Sequence, residues 1–192
     1  TDSRIGKRFL FPGIGYGGSC FPKDVKALHK SGKDSGYDFQ ILESVIDVNQ
    51  KQKTALIPKI RKYFGDDLKG KKIGLWGLAF KPETDDIREA PALYIIEELL
   101  AAGAEVTAFD PEAMENVKRK LGDAIAFAPG MYGAVEDMDA LVICTEWSVF
   151  RNPNFSMVKD LLKAPVIFDG RNLYDVEEMK SRGFHYESIG RG

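Results

Sequence analysis

The sequence has few of the residues that build metal centres or disulfide scaffolds. Its 192 residues include only two cysteines and two histidines. Two cysteines are too few for a disulfide framework, and this set does not favour a structural zinc site, which needs four Cys or His ligands. We therefore expect no metal and a reducing, cytoplasmic location.

Long apolar runs and a charge excess of either sign are also absent. No stretch reaches the ~18 apolar residues that a membrane-spanning helix needs, and the first residues, TDSRIGKR, lack the apolar segment of a secretory signal. Lys and Arg number 27 against 29 Asp and Glu, a net charge of −2. This balance argues against nucleic-acid binding through a broad basic surface and against a membrane partner.

Common catalytic motifs are missing as well: there is no Walker A, HExxH, GxSxG or CxxC. What the first part does contain is the glycine-rich run PGIGYGGSC, followed by FPKDVKALHKSG. Pro22 suits the first turn of a helix, and Gly32 and Gly36 suit its end. These signals place Cys20 at a loop-to-helix junction.

Cys20 has the setting of a nucleophile. The start of a helix carries partial positive charge, and Lys23 adds a full charge one turn on, so both favour the reactive thiolate. Asp24 falls on the same helix face and can hold a water or a proton near the sulfur. The alternatives stay open, because a lone cysteine can be a small apolar residue and a first-turn acid can merely complement the helix dipole.

Apolar residues recur at spacings of three, four and seven from residue 39 to residue 64. This pattern predicts one helix of roughly 35–40 Å, kinked at Pro58. Such a helix in so short a chain favours a connector between domains or a dimer surface. Gly65 and the polar residues after it mark a boundary, so we predict two units, 1–64 and 65–192.

The second unit alternates between apolar strand-like runs and helical stretches. One helix is predicted to start near Asp85 and Asp86 and to end at Gly103. The alternation predicts an α/β, Rossmann-like, doubly wound parallel sheet. The six strand-like runs are KKIGLWGLAF, AEVTAFD, AIAFA, DALVICT, APVIFDG and HYESIG.

Ligands of such sheets bind at the carboxyl ends of the strands. Gly74 and Gly77 do not form GxGxxG, and Asp110 lies 33 residues after Gly77, against a usual separation of about 20 for the ribose-binding acid. The fold therefore lacks the tight pyrophosphate turn. Cations that can meet phosphates instead, although each is also typical of an exposed surface, are Lys81, Arg88 and Arg171.

Three segments, GGSCFPKD, GLAFKPETDDIREAPA and FDGRN, together resemble the UDP-glucose/GDP-mannose dehydrogenase family of nucleotide-sugar 6-dehydrogenases. Phe21 points to the UDP-glucose branch, because the GDP-mannose branch usually has leucine there. The UDP-amino-sugar branch typically carries GGHC, where this chain has Ser19. The other two branches remain the alternatives.

The resemblance implies a dimeric enzyme in three parts: an N-terminal NAD domain, a helical middle domain that forms the dimer, and a C-terminal domain that holds the UDP of UDP-glucose. Only the end of the middle domain and the C-terminal domain match this chain. We therefore expect a C-terminal portion, inactive alone, that dimerises through the long helix. The alternative is a nucleotide-binding or dimerisation module without turnover.

The family reaction oxidises the sugar C6 alcohol twice. By resemblance, Cys20 forms the thiohemiacetal and thioester, and Asp24 assists. Lys23 and Arg88 are implied to face NAD. By resemblance, Arg4 reaches the sugar nucleotide bound in the neighbouring subunit. The other residues implied to contact the sugar nucleotide are Phe9, Phe11, Gly13, Gly17, Phe80, Lys81 and Arg171.

Overall fold

The structure is a computed structural model that describes residues 11–191. The roles implied for Arg4 and Phe9 fall outside the described residues. Among the described helices, none is both long enough and apolar enough to cross a membrane.

Helix α1 (Phe21–Asp34) confirms the predicted loop-to-helix junction. Pro22 lies in its first turn, where a missing N–H costs no hydrogen bond. Beyond the last turn, Gly36 adopts a φ of +76°, which glycine tolerates and which ends a helix. The chain then turns back, and the Tyr37 N–H donates to the Gly32 carbonyl at 2.8 Å.

The single helix expected over 39–64 is wrong, because the structure has two helices there. They are α2 (Gln40–Gln52) and α3 (Ile57–Phe64), with a turn between them. Pro58 has no N–H for the Thr54 carbonyl, and its ring excludes that carbonyl from the helical position. The chain tightens instead, and the Ile57 N–H bonds Thr54 O at 2.9 Å. The break thus lies one turn before the proline.

Six parallel strands form one sheet in the order β3-β2-β1-β4-β5-β6. This order confirms the predicted doubly wound fold, and it reverses direction between β1 and β4, which is where ligands bind in such sheets. The strands are β1 (Lys72–Trp76), β2 (Glu105–Phe109), β3 (Ala126–Phe127), β4 (Ala140–Ile143), β5 (Val166–Asp169) and β6 (His185–Ser188).

Helices cover both faces of the sheet, so its central strands are buried on both sides. Alternate residues of β1 enter different apolar clusters: Ile73 and Leu75 join one, and Trp76 joins the other. In the second cluster the Trp76 ring stacks on Phe150 at 5.0 Å. The remaining helices are α4 (Pro91–Ala101), α5 (Met114–Leu121), α6 (Ser148–Arg151), α7 (Phe155–Leu161) and α8 (Val176–Ser181).

Helix α4 begins later than the acids at Asp85 and Asp86 suggested. Ala90 precedes a proline and is extended, with φ −64° and ψ 126°, because a residue before proline is disfavoured in the helical region. The helix therefore starts at Pro91, and both acids lie in the loop that follows β1. The predicted end is confirmed by Gly103 at φ +88°.

Candidate active site

A cavity of about 470 Å³ opens at the carboxyl ends of β4 and β5, beside the point where the strand order reverses. This is the position that the sequence predicted for a ligand. The cavity brings together Phe11 from the N-terminal segment and Arg171 from the loop after β5. Its lining residues are Phe11, Pro12, Glu146, Arg151, Arg171 and Asn172.

Arg171 is held in place by a carboxylate that sequence reasoning did not select. Its Nε lies 2.7 Å from Glu146 Oε2, and its Nη2 donates to Glu146 Oε1 at 2.8 Å. This paired contact fixes the plane of the guanidinium. A side chain at Gly13 would come within 2.7 Å of Arg171 Nη1, so the glycine lets the N-terminal segment pass directly over the cation.

The glycine-rich segment before Cys20 is anchored to the C-terminal half of the chain. The Ile14 N–H donates to Gly170 O at 3.0 Å, and the Gly18 N–H donates to Arg88 O at 2.8 Å. A Cβ on Gly17 would collide with the Glu89 carbonyl. Gly17 therefore allows the segment to pack closely against the backbone at Glu89.

Two side chains of α2 hold the same segment from the other side. Asn49 accepts from the Tyr16 N–H at 2.8 Å and donates to Tyr16 O at 3.1 Å, which satisfies both backbone groups of one residue. Gln52 donates to Gly13 O at 2.7 Å. Sequence reasoning assigned neither residue a role. The available signal was an asparagine at a position of the helical pattern that is otherwise apolar.

A buried ion pair also reaches this segment. Lys53 is 1% exposed, and its Nζ lies 2.5 Å from Glu89 Oε2 and 4.2 Å above the Tyr94 ring. The Tyr94 hydroxyl donates to the same carboxylate at 2.8 Å. Hydrogen bonds from Lys53 and Tyr94 lower the pKa of Glu89. Burial, followed by the bonded Glu89, raises the pKa of Tyr94 to about 12.

Cys20 caps α1 and is exposed, as the sequence predicted for a reactive thiol. Its neighbours Lys23 and Asp24 are exposed as well. Arg88 lies near enough for the Cys20 thiolate to raise the pKa of the guanidinium, although the hydrogen bond with Asp86 is the larger cause. Cys144 is the opposite case, because complete burial raises the pKa of its thiol.

Phe80 and Lys81 lie in the loop after β1, away from the cavity that Arg171 lines. The Phe80 ring packs on Gly18, where an added Cβ would lie 2.9 Å from the ring. Lys81 is exposed, with its Nζ 5.5 Å from the Phe80 ring centre. Among the described residues, neither of the two lines the cavity that Arg171 lines. The structure therefore brings Phe80 to the Cys20 segment and leaves Lys81 at the surface.

Asp110 is buried, and its carboxylate fills the position of a dinucleotide pyrophosphate. It accepts from Leu78 N at 2.6 Å and Ala79 N at 3.1 Å, the N–H groups after β1 that bind pyrophosphate in dinucleotide folds. It also accepts from Trp147 Nε1 at 3.1 Å. This turn therefore does not fit NAD, which explains the missing GxGxxG signature.

Comparison with known proteins agrees with the fold and shows the family. Residues 74–176 match the UDP binding domain of the UDP-glucose/GDP-mannose dehydrogenase family, and residues 1–51 match the central domain of that family. The first match alone covers more than half of the chain. The chain belongs to the UDP-glucose/GDP-mannose dehydrogenase family.

Curated relatives include the UDP-glucose 6-dehydrogenase TuaD of Bacillus subtilis, 48% identical over 99% of this chain and 41% of that protein. A UDP-glucose 6-dehydrogenase of Pseudomonas aeruginosa is 46% identical over 100% of this chain and 43% of its own length. A solved UDP-glucose dehydrogenase from Pyrobaculum islandicum superposes with a TM-score of 0.84 at 31% identity, over 100% of this chain and 41% of that one. The chain thus spans about two fifths of these relatives.

Proposed function

We propose that this chain is the C-terminal portion of an NAD-dependent UDP-glucose 6-dehydrogenase, which oxidises UDP-glucose to UDP-glucuronate. The observation that carries the proposal is the anchoring of the Cys20 segment on the domain that matches UDP-binding domains, through Gly170 and Arg88. A thiol and a nucleotide cavity are thereby joined in one rigid arrangement. The relatives named above support UDP-glucose as the sugar nucleotide.

Cys20 performs the covalent chemistry in this proposal. Its sulfur attacks the C6 aldehyde carbon in the thiolate form, and the carbonyl oxygen takes up a proton to give the thiohemiacetal. NAD, when bound to the whole enzyme, would accept the hydride from that carbon, and loss of the hydroxyl proton would leave the thioester. Water then attacks the thioester carbon, the C–S bond breaks and the thiolate returns, while Asp24 accepts a proton from the water.

The nucleotide is held by the cavity around Arg171, and Phe80 and Lys81, which lie outside that cavity, remain proposed contacts for the sugar nucleotide. Lys23 and Arg88 remain proposed contacts for NAD. Because Asp110 occupies the pyrophosphate position of this sheet, hydride acceptance is assigned to a part of the enzyme outside this chain. UDP-glucose is favoured over GDP-mannose and UDP-amino sugars by Phe21 and Ser19.

The enzyme is proposed to be a homodimer that meets through α2. One side of that helix is apolar and exposed, with Ile41 at 79% and Val48 at 62%. Together with Val45 they line an open groove that continues to Tyr16, directly above the Cys20 segment. A dimer through this face would stabilise the segment that carries the nucleophile.

The experiment is the Cys20→Ser substitution in the full-length dehydrogenase that contains this chain. Release of UDP-glucuronate should fall by orders of magnitude, because a serine hydroxyl is far less ionised than a thiol at neutral pH. Cys144→Ser is the matched control and should retain turnover. Unchanged release from the Cys20 variant would refute the proposed role. The chain alone should form no NADH from UDP-glucose and NAD.

A further inference from the structure

A second cavity, of about 610 Å³, lies at the outer edge of the sheet, where α3 and α8 flank β6. It shares no lining residue with the cavity around Arg171. None of the described residues assigned to the proposed reaction lines it. Its volume is in the range of pockets that hold small ligands. We call it the edge cavity.

The edge cavity has an excess of positive charge in a chain whose net charge is negative. Lys59 and Lys62 reach it from α3, Lys180 from α8 and Arg191 from the residues after β6. Among residues 11–191, Glu187 is the one carboxylate that lines it. The four permanent cations therefore come from three different elements and surround the space. Single lysines on a surface are ordinary, but four cations that converge on one concave space are not.

The single carboxylate does not neutralise these cations. Glu187 is already shared between Lys59, at 3.4 Å, and His185, at 3.3 Å. Lys180 is paired outward with Glu177 at 3.2 Å. Within residues 11–191, neither Lys62 nor Arg191 has a carboxylate partner in ion-pairing range, and Arg191 donates only to Tyr174 O, at 3.2 Å. Two cations are thus left for a ligand.

Residues of β6 form one wall of the edge cavity. Tyr186 is buried, and its hydroxyl donates to Asp169 Oδ2 at 2.7 Å. The His185 ring packs on Tyr63 with ring centres 4.4 Å apart. A concave surface with an excess of charges of one sign concentrates the electrostatic potential and attracts counter-ions. The cations repel one another, so an anion of several charges relieves more repulsion than a monovalent one.

We propose that the edge cavity binds an oligophosphate group, a di- or triphosphate chain, either free or carried by a nucleotide. Lys62 supplies a compact point charge, and Arg191 supplies a fork that fits two phosphate oxygens. Because the cations stand on three elements, successive phosphates can each meet one. The site goes beyond the proposed dehydrogenase reaction and does not depend on it.

Isothermal titration of the purified chain with tripolyphosphate tests the site. The chain should bind one equivalent, and Lys62→Gln with Arg191→Gln should weaken binding at least tenfold, which corresponds to about 1.4 kcal/mol. Lys118→Gln with Lys120→Gln, on exposed α5, removes the same charge and should leave the affinity unchanged. Circular dichroism confirms that both double variants are folded.

Two further experiments test whether the ligand is a free oligophosphate or a nucleotide, and whether this site is distinct from the nucleotide cavity. Titration with ATP gives tighter binding than tripolyphosphate if the base contributes, and equal or weaker binding if the free anion is the ligand; either result supports the site. Arg171→Ala should weaken UDP-glucose binding and leave tripolyphosphate binding intact. The proposal is overturned by no binding at low salt, by an equal loss in the α5 control, or by loss of tripolyphosphate binding in the Arg171 variant.

Discussion

At the scale of single residues, the two thiols of this chain have opposite environments. Cys20 is exposed at the start of α1, whereas Cys144 is buried and has a raised pKa. Iodoacetamide reacts with thiolates, so it should label Cys20 at least tenfold faster in the folded chain. Peptide mass spectrometry at timed intervals measures both rates, and 6 M guanidinium gives the reference in which both react. Equal rates in the folded chain would contradict this assignment.

Glu89 makes the free energy of unfolding depend on pH under acidic conditions. Its folded pKa is lowered, first by Lys53 and then by Tyr94, so its contribution to stability is complete above the unfolded pKa. That contribution is lost as pH falls through the folded pKa. Urea unfolding between pH 7 and pH 3 should show a shallower acid loss for Glu89→Gln than for the unsubstituted chain. If stability fell equally with pH in the variant and in the unsubstituted chain, the Lys53–Glu89 ion pair would contribute nothing to the free energy of unfolding.

Asn49 should be more costly to remove than an exposed residue of the same helix. Asn49→Ala leaves both backbone groups of Tyr16 without their partner, a loss of about 1–3 kcal/mol. Asn49→Asp keeps the acceptor for Tyr16 N but sets a carboxylate oxygen against Tyr16 O at a buried position, so it should not recover the loss. Gln50→Ala, on the exposed side of α2, is the control. Urea denaturation measures the free energy of unfolding of each variant. Equal losses in all three would contradict the stabilising role of the Asn49–Tyr16 hydrogen bonds.

Sequence reasoning located single residues better than it located their partners. Cys20 and Arg171 lie where turn, capping and strand-end rules placed them. Glu146, Asn49 and Lys53 were not selected, because their partners Arg171, Tyr16 and Glu89 lie 25, 33 and 36 residues away in sequence. Local periodicity carries no information about such pairs, which only the folded topology brings together.

At the scale of elements, strands were easier to predict than helix boundaries. All six apolar runs became strands of the sheet. Both helix errors occurred beside a proline: the break before Pro58 and the late start at Pro91. In each case the apolar period continued through residues whose backbone could not stay helical. The apolar periodicity of the sequence indicates which side chains face the core. It does not indicate whether the backbone hydrogen bonds of the helix are continuous.

The exposed apolar side of α2 predicts self-association. Ile41→Glu with Val48→Glu places two charges in the proposed dimer surface, so light scattering should show a shift from dimer to monomer. Val149→Glu, at a residue 45% exposed on α6, is the matched control and should leave the mass unchanged. A monomeric unsubstituted chain at 100 µM would rule out this dimer for the isolated chain.

At the scale of the whole molecule, the candidate site contains residues from both sides of the division predicted at residue 64. The segment that carries Cys20 is bonded on one side to α2, through Asn49, and on the other to Gly170 and Arg88. The second half supplies Arg171, and the first half supplies Cys20, the proposed nucleophile, together with Phe11 and Pro12 of the cavity. The sequence predicted the two units separately, because their contacts are all long-range.

The central claim is that this chain binds the nucleotide of UDP-glucose in the cavity around Arg171, which leaves the sugar C6 for Cys20. The most direct measurement is the thermal shift of the chain with UDP-glucose, since a ligand at 100 times its Kd adds about 2.7 kcal/mol of stability. The account predicts a shift of several degrees, a smaller shift with GDP-mannose, and loss of most of the shift in Arg171→Ala. No shift at millimolar UDP-glucose, or a larger shift with GDP-mannose, would contradict it.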